Sequence, residues 1–240
     1  SDLMDELVVG PHGGRSGPHL VVEVVRRHGH VGIGEHHPVV GGGAPAAGRG
    51  FDWLHINSAT WLGPNKWFDA GDKRFAPDNV LISSRSASFL AIIAHDGHVV
   101  WRMGPDFRES PELLEIGQII GQHHAHLIPK GLPGEGNLMV FDNGGSSGYG
   151  AASPIAPQGV NTLARANSRV LEIDPVTMKR VWMYNGAGFF STNISSAQRL
   201  PNGNTLITEG AGGRIFEVTP ASKIVWEFMN SNGASGRPNT

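Results

Sequence analysis

The 240-residue chain contains no cysteine, which excludes disulfides, thiolate metal ligands and thiol nucleophiles. Neither sign of charge dominates: 19 Lys and Arg against 21 Asp and Glu leave a formal charge of −2. Nucleic acid and anionic lipid call for a basic face, so neither is expected as a partner. Charged residues are scarce at 17%, against about 25% in an average globular chain. No run approaches the roughly 18 apolar residues of a membrane span. The opening Ser1-Asp2-Leu3-Met4-Asp5-Glu6 is acidic where a secretory signal is basic and then apolar. An exported parent would carry its signal outside this chain.

Glycine and histidine stand out among the residues that are present. The 34 Gly and 16 Pro stop short of the roughly 25–30% that marks low complexity. A hydrophobic share of 39% supplies a core, so the chain reads as turn-rich and folded. Its length fits one domain or two small ones. Six of the 12 histidines precede residue 50, and none follows His126.

One pattern occurs three times. Near the C-terminus it runs Asn204, Thr205-Leu206-Ile207-Thr208, Arg214-Ile215-Phe216-Glu217-Val218 and Lys223-Ile224-Val225-Trp226. An earlier copy runs Asn79, Val80-Leu81-Ile82-Ser83, Phe89-Leu90-Ala91-Ile92-Ile93 and Val99-Val100-Trp101. The middle copy has Asn137, Leu138-Met139-Val140, Arg169-Val170-Leu171-Glu172-Ile173 and Arg180-Val181-Trp182, with a Gly/Ser/Ala/Pro-rich insert between Gly144 and Asn167. Long inserts of this kind are often functional loops. One more strand-like segment precedes each copy: His55–Leu62, Gln122–Ile128 and Ile194–Leu200.

Four short strands separated by Asn/Gly/Pro turns, repeated at this spacing, describe the blades of an all-β propeller. The expected blades cover about 52–104, 122–185 and 194–230, within a propeller region of 51–235. Each blade-end Trp is expected to pack between blades. Ser110 before Pro111 marks the one helix expected, over 110–116. Residues 1–50 form a poorly matched lead-in, with a strand at Val21–Val25 and an aperiodic Gly/His-rich stretch after it. Propellers typically close with four to eight blades, so three blades imply a partial ring, completed by further blades or by a second copy.

In a propeller the first strand of each blade lines the central channel. Aligning these strands on Ala59, Ala125 and Ala197 puts Asn57, His123 and Ser195 in equivalent places, with His55 on the face of Asn57. His124 and His126 fall on the face opposite His123. Arg85, at the end of a second strand, reaches the same mouth, and so does Asp142 by alignment. Two histidines with an arginine suit chemistry on an anion: imidazole can be a nucleophile near neutral pH, and a guanidinium grips an oxyanion.

Asp52-Trp53-Leu54-His55-Ile56-Asn57-Ser58, Ile82-Ser83-Ser84-Arg85 and Val100-Trp101-Arg102-Met103-Gly104-Pro105 resemble the bacterial arylsulfate sulfotransferases. Gln122-His123, Val140-Phe141-Asp142-Asn143-Gly144 and Asn167-Ser168-Arg169-Val170 continue the resemblance in the same order. It spans roughly residues 51–230. The resemblance implies a six-bladed, usually periplasmic propeller. It implies sulfuryl transfer from a phenolic sulfate ester to a phenolic acceptor, with no cofactor and without the nucleotide donor PAPS. It also implies that His123 is transiently sulfated, with His55, Asn57 and Arg85 around it. A further channel histidine of the family has no matching context in residues 1–50.

Two other readings remain at this stage. The first is a non-catalytic propeller that binds a ligand or partner and keeps its histidines as polar channel residues. The second is a metal site built from His123, His124 and His126, or from the His124–His126 pair alone, although no His-Glu-x-x-His motif is present. His36-His37 reads as loop composition, and Asp142-Asn143-Gly144-Gly145 as a turn.

Overall fold

The computed structural model describes residues 54–148 and 161–230, together with the strands β1 (Glu6–His12) and β2 (His19–Val25), which pair as an antiparallel hairpin. The expected strand at Val21–Val25 lies within β2. The Gly/His-rich stretch after it lies outside the described residues, as does much of the insert between Gly144 and Asn167.

Three four-stranded antiparallel sheets follow. The first contains β3 (Ile56–Trp61), β4 (Val80–Ser84), β5 (Phe89–Ile93) and β6 (Val99–Met103), in that order across the sheet. The second opens with β7 (His123–Leu127) and β8 (Leu138–Asp142). The chain then leaves it for a two-stranded excursion, β9 (Ser146–Ser147) with β10 (Leu163–Ala164). It returns as β11 (Arg169–Asp174) and β12 (Lys179–Tyr184). The third contains β13 (Ser196–Arg199), β14 (Thr205–Glu209), β15 (Arg214–Val218) and β16 (Ile224–Met229). The fold is all-β and propeller-like, and no ring closes among the described residues.

Period-two alternation explains the packing. Along β5, Leu90 and Ile92 join the core between the first two sheets, which also holds Leu127, Leu138, Val140, Leu171 and Ile173. Phe89, Ala91 and Ile93 on its other face form a second cluster with Leu54 and Ile82. Strands buried on both faces read as continuous apolar runs. A third cluster, with Met139, Phe141, Tyr184, Phe189 and Phe216, joins the second and third sheets.

The blade-end tryptophans follow one rule with two outcomes. Trp101, Trp182 and Trp226 stand opposite Ile92, Glu172 and Glu217, and each outer pair of strands shifts register at the next residue. Trp101, 5% exposed, donates its indole N–H to Pro175 O, in the outer turn of the next sheet, at 2.7 Å. Trp182 does the same to Pro220 O at 2.9 Å. Trp226 is 50% exposed, and all of β16 is open with it. The interblade role expected of all three therefore holds for two. The third has no following sheet to receive it among the described residues.

Two helices interrupt the sheets. α1 (Lys66–Asp69) is capped by Asn65, whose side chain accepts from the N–H groups of Trp67 and Phe68. Its four residues are too few to show helical periodicity in the sequence. α2 (Pro111–Ile116) has Ser110 as its cap, accepting from Leu113 N–H, with Pro at the first turn. No helix among the described residues is long and apolar enough to cross a membrane.

Candidate functional site

The first strands meet edge to edge. Thr60 Oγ1 on β3 donates to Ala125 O on β7, and His124 Nδ1 on β7 bonds Ala197 O on β13. This seam brings the entry ends of β3 and β7 together, and with them the four candidate residues.

His123 is held from its Nδ1 side. That nitrogen lies 2.7 Å from Asn143 Oδ1 and 3.0 Å from Gly121 O. The Asn143 amide cannot be reversed, because its Nδ2 donates to Ser191 O and to Ile194 O, each at 2.8 Å. Both atoms facing Nδ1 are therefore acceptors, so Nδ1 carries the proton and Nε2 keeps its lone pair. Burial is the main cause lowering the His123 pKa below the usual histidine value. The nearby positive charges of Arg85 and His55 lower it further, against the opposing hydrogen bonds. The lowered pKa favours the neutral imidazole, and the two acceptors select its Nδ1–H tautomer.

The other candidates are tied to this centre through the backbone. Arg85 N–H donates to His55 O at 3.0 Å, which fixes the two residues side by side. The Arg85 guanidinium donates to Ser146 O at 3.2 Å and packs over Gly121. A Cβ on Gly121 would lie 3.9 Å from Arg85 Cζ, and the φ of +61° already favours glycine there. Asn57 Nδ2 donates to Gln122 O at 2.6 Å, so Asn57 grips the peptide immediately before His123. Gln122 in turn donates to Ser83 Oγ, Ser84 O and Phe89 O.

Polar atoms around this seam are left without partners. Asn57 Oδ1, Ser58 Oγ and Gln122 Oε1 are buried and make no hydrogen bond among the described residues. Each such orphan costs about 1–3 kcal/mol, and orphans of this kind concentrate where a fold serves a site rather than stability.

Simple alternation breaks down at the strand entries. His55 has a left-handed φ of +44° and β3 shifts register between Ile56 and Ser58. His124 has φ +51°, and β7 shifts register between His123 and His126. Such bulges re-aim side chains. Ser195, aligned with Asn57 and His123, is not placed by strand alternation. It lies outside β13 with φ +98°, and its hydroxyl donates to Ser191 Oγ and accepts from Gly210 N–H.

Asp142 also departs from expectation. It does not face the mouth: its side chain is fully buried. It accepts from Ile120 N–H at 2.8 Å, from Arg169 Nε at 2.6 Å and from Arg165 Nη2 at 2.9 Å. Arg169 also donates to the carbonyls of Ile116, Gly117 and Gln118. This pair clamps the end of α2 and the segment that leads into His123. Asn143 lies in a sequence with the look of a turn, yet it is the residue that orients His123. Its place inside the Phe141-Asp142-Asn143-Gly144 motif was the only signal of it.

The three clustered histidines divide. His123 faces Asn143, while His124 and His126 line a cleft at the exit ends of β3 and β7. Burial, with the adjacent His124 second, pushes the His126 imidazole down to about 4. No group of three or more His, Asp or Glu side chains gathers as a metal cage among the described residues, so a three-histidine site is not formed.

Among solved structures the chain is similar to a protein of unknown function from Bacteroides caccae, at 14% identity and a TM-score of 0.40 over 94% of this chain and 58% of that one. It is also similar to the Dos1 propeller, at 13% identity and a TM-score of 0.31, over 64% of this chain and 46% of that one. The chain therefore spans about half the length of these relatives. No curated protein matches it. The arylsulfotransferase (ASST) family profile matches residues 40–231, a stretch that contains all three sheets and every candidate residue, and the chain belongs to the arylsulfotransferase family.

Proposed function

We propose that this chain carries the sulfuryl-transfer site of an aryl-sulfate sulfotransferase, acting from a phenolic sulfate ester to a phenol through a sulfated His123. The observation that carries the reading is the pair of acceptors on His123 Nδ1, Asn143 Oδ1 and Gly121 O. They commit the proton to Nδ1 and leave Nε2 as a nucleophile.

In the first half-reaction the Nε2 lone pair attacks the sulfur of the donor ester. The N–S bond forms, the S–O(aryl) bond breaks, and the bonding pair leaves with the phenolate. His55 supplies the proton that the phenolate takes up. The imidazolium formed keeps its Nδ1–H on Asn143 Oδ1, which stabilises the positive charge. In the second half-reaction the acceptor phenol returns a proton to His55 and its oxygen attacks sulfur. The N–S bond breaks and neutral His123 is restored. Arg85 holds the sulfuryl oxygens as charge moves toward the leaving oxygen. Asn57, whose amide grips Gln122 O, fixes the angle at which His123 enters the site.

The test is mass spectrometry of the protein mixed with 4-nitrophenyl sulfate. The expected result is a labile gain of one sulfuryl group on His123, discharged by phenol and absent in His123→Ala. A folded, monodisperse sample that binds sulfated ligands without forming the adduct would replace this reading with a non-catalytic binding module.

A further inference from the structure

A second histidine arrangement borders a cleft at the exit ends of β3 and β7. The cleft there has a volume of about 510 Å³ and is bordered by Thr60, Trp61, His124, His126, Lys130 and Gln198 among others. The rings of His124 and His126 face one another with centroids 4.6 Å apart and planes tilted by 46°. Two imidazoles sharing one ion through Nε2, at about 2.1 Å each, put their centroids about 5 Å apart. The ring separation is thus compatible with a shared ion.

Both rings are also oriented in the way metal-binding histidines are. His124 Nδ1 lies 2.9 Å from Ala197 O, and His126 Nδ1 lies 3.1 Å from the carbonyl of His124 itself. Backbone carbonyls only accept, so each Nδ1 carries its proton and each Nε2 presents a lone pair. Neither Nε2 has a hydrogen-bond partner among the described residues. A ring N–H anchored on a backbone carbonyl is the usual outer support of a histidine ligand. His126 is only 8% exposed, so its ring is locked by packing, whereas His124 is exposed and closes the pair from outside.

The backbone is bent to make this arrangement. His124 sits at φ +51° inside the β7 register shift, a conformation that costs a non-glycine residue of order 1 kcal/mol. Electrostatics do not oppose a cation. Lys130 is paired with Asp69 at 2.6 Å, and Arg199 with the buried Glu172. Both positive side chains at the cleft are thereby compensated.

We propose that His124 and His126 form a two-histidine site for a divalent first-row transition-metal ion such as Zn²⁺ or Cu²⁺, at the cleft bordered by the exit ends of β3 and β7. Imidazole nitrogen suits these ions. Water completes the coordination, with Gln198 at the rim of the same cleft. Two protein ligands make the site exchangeable rather than structural, and it works independently of the transfer site.

Isothermal titration of the metal-stripped chain with Zn²⁺ tests this in the wild type, His124→Gln, His126→Gln and His123→Gln. Circular dichroism confirms that each variant is folded. The expected result is a saturable component that His123→Gln retains and that His124→Gln and His126→Gln each weaken at least about tenfold. His124→Gln is the decisive variant, because an exposed side chain is replaced by one that still donates to Ala197 O. Electron paramagnetic resonance at one equivalent of Cu²⁺ should report two nitrogen ligands in the wild type and fewer in His124→Gln. Titration curves that coincide for wild type and His124→Gln would overturn the proposal. So would loss of the component in His123→Gln.

Discussion

Asn143 Oδ1 lies 2.7 Å from His123 Nδ1 while the same amide donates to two carbonyls of the 191–194 loop. The proton on His123 is thus decided by the side chain that directly follows β8, which the third sheet's entry loop holds in place. A nucleophilic imidazole needs one nitrogen protonated and held, so the attacking nitrogen is oriented before substrate arrives.

Replacing Asn143 by Ala should therefore lower kcat by at least about a hundredfold while leaving KM nearly unchanged. Tautomer and orientation are lost, but the ester is still gripped. Nitrogen-15 NMR of His123 should report a falling Nδ1–H population in the same variant. A wild-type kcat in Asn143→Ala would remove the tautomer argument.

Arg85→Lys should reduce kcat/KM by about a hundredfold. Lysine keeps the charge but loses the planar fork that can hold two sulfuryl oxygens at once. The check is steady-state kinetics with 4-nitrophenyl sulfate and phenol. A loss of less than threefold would mean that Arg85 supplies only a general positive field.

Trp101→Ala and Trp226→Ala alter equivalent repeat positions and should differ sharply. Trp101 fills the seam between two sheets and bonds Pro175 O, so its loss should cost about 3–5 kcal/mol. Trp226 faces outward, and its loss should stay within about 0.5 kcal/mol. Urea unfolding of both variants measures the contrast. Equal destabilisation would show that something covers β16 in solution.

Asp142→Ala should destabilise the fold by about 3–5 kcal/mol, since it leaves Arg169 and Arg165 without their buried counter-charge. The segment that Asp142 and Arg169 clamp leads directly to His123, so a loss of transfer activity should accompany the loss of stability. Thermal unfolding followed with and without a sulfated ligand checks the first effect. An Asp142→Ala variant with wild-type stability would contradict the clamp.

Local chemistry made much of this protein readable from sequence. Apolar runs such as Phe89-Leu90-Ala91-Ile92-Ile93, the Asn/Gly/Pro turns and the recurring Trp positions specify strands, their order and the faces they bury. These signals depend only on neighbours along the chain. The order of the motifs around His55, Asn57, Arg85 and His123 likewise pointed to the family. Tertiary structure decided what those residues do. How far a blade-end Trp is covered depends on the next sheet, which Trp101 and Trp182 have and Trp226 lacks among the described residues. Register shifts in β3 and β7 interrupt simple alternation at the two strand entries, and Ser195 precedes β13 in a left-handed conformation, so strand alternation does not place it. Asp142 turned inward and Asn143 took the place beside His123, since a side chain's partner is set by what lies across the sheet. The tautomer of His123 and the pairing of His124 with His126 belong to that second kind of information. Carbonyls and amides up to 73 positions away in the chain fix both, and only the packed fold brings them within hydrogen-bonding reach.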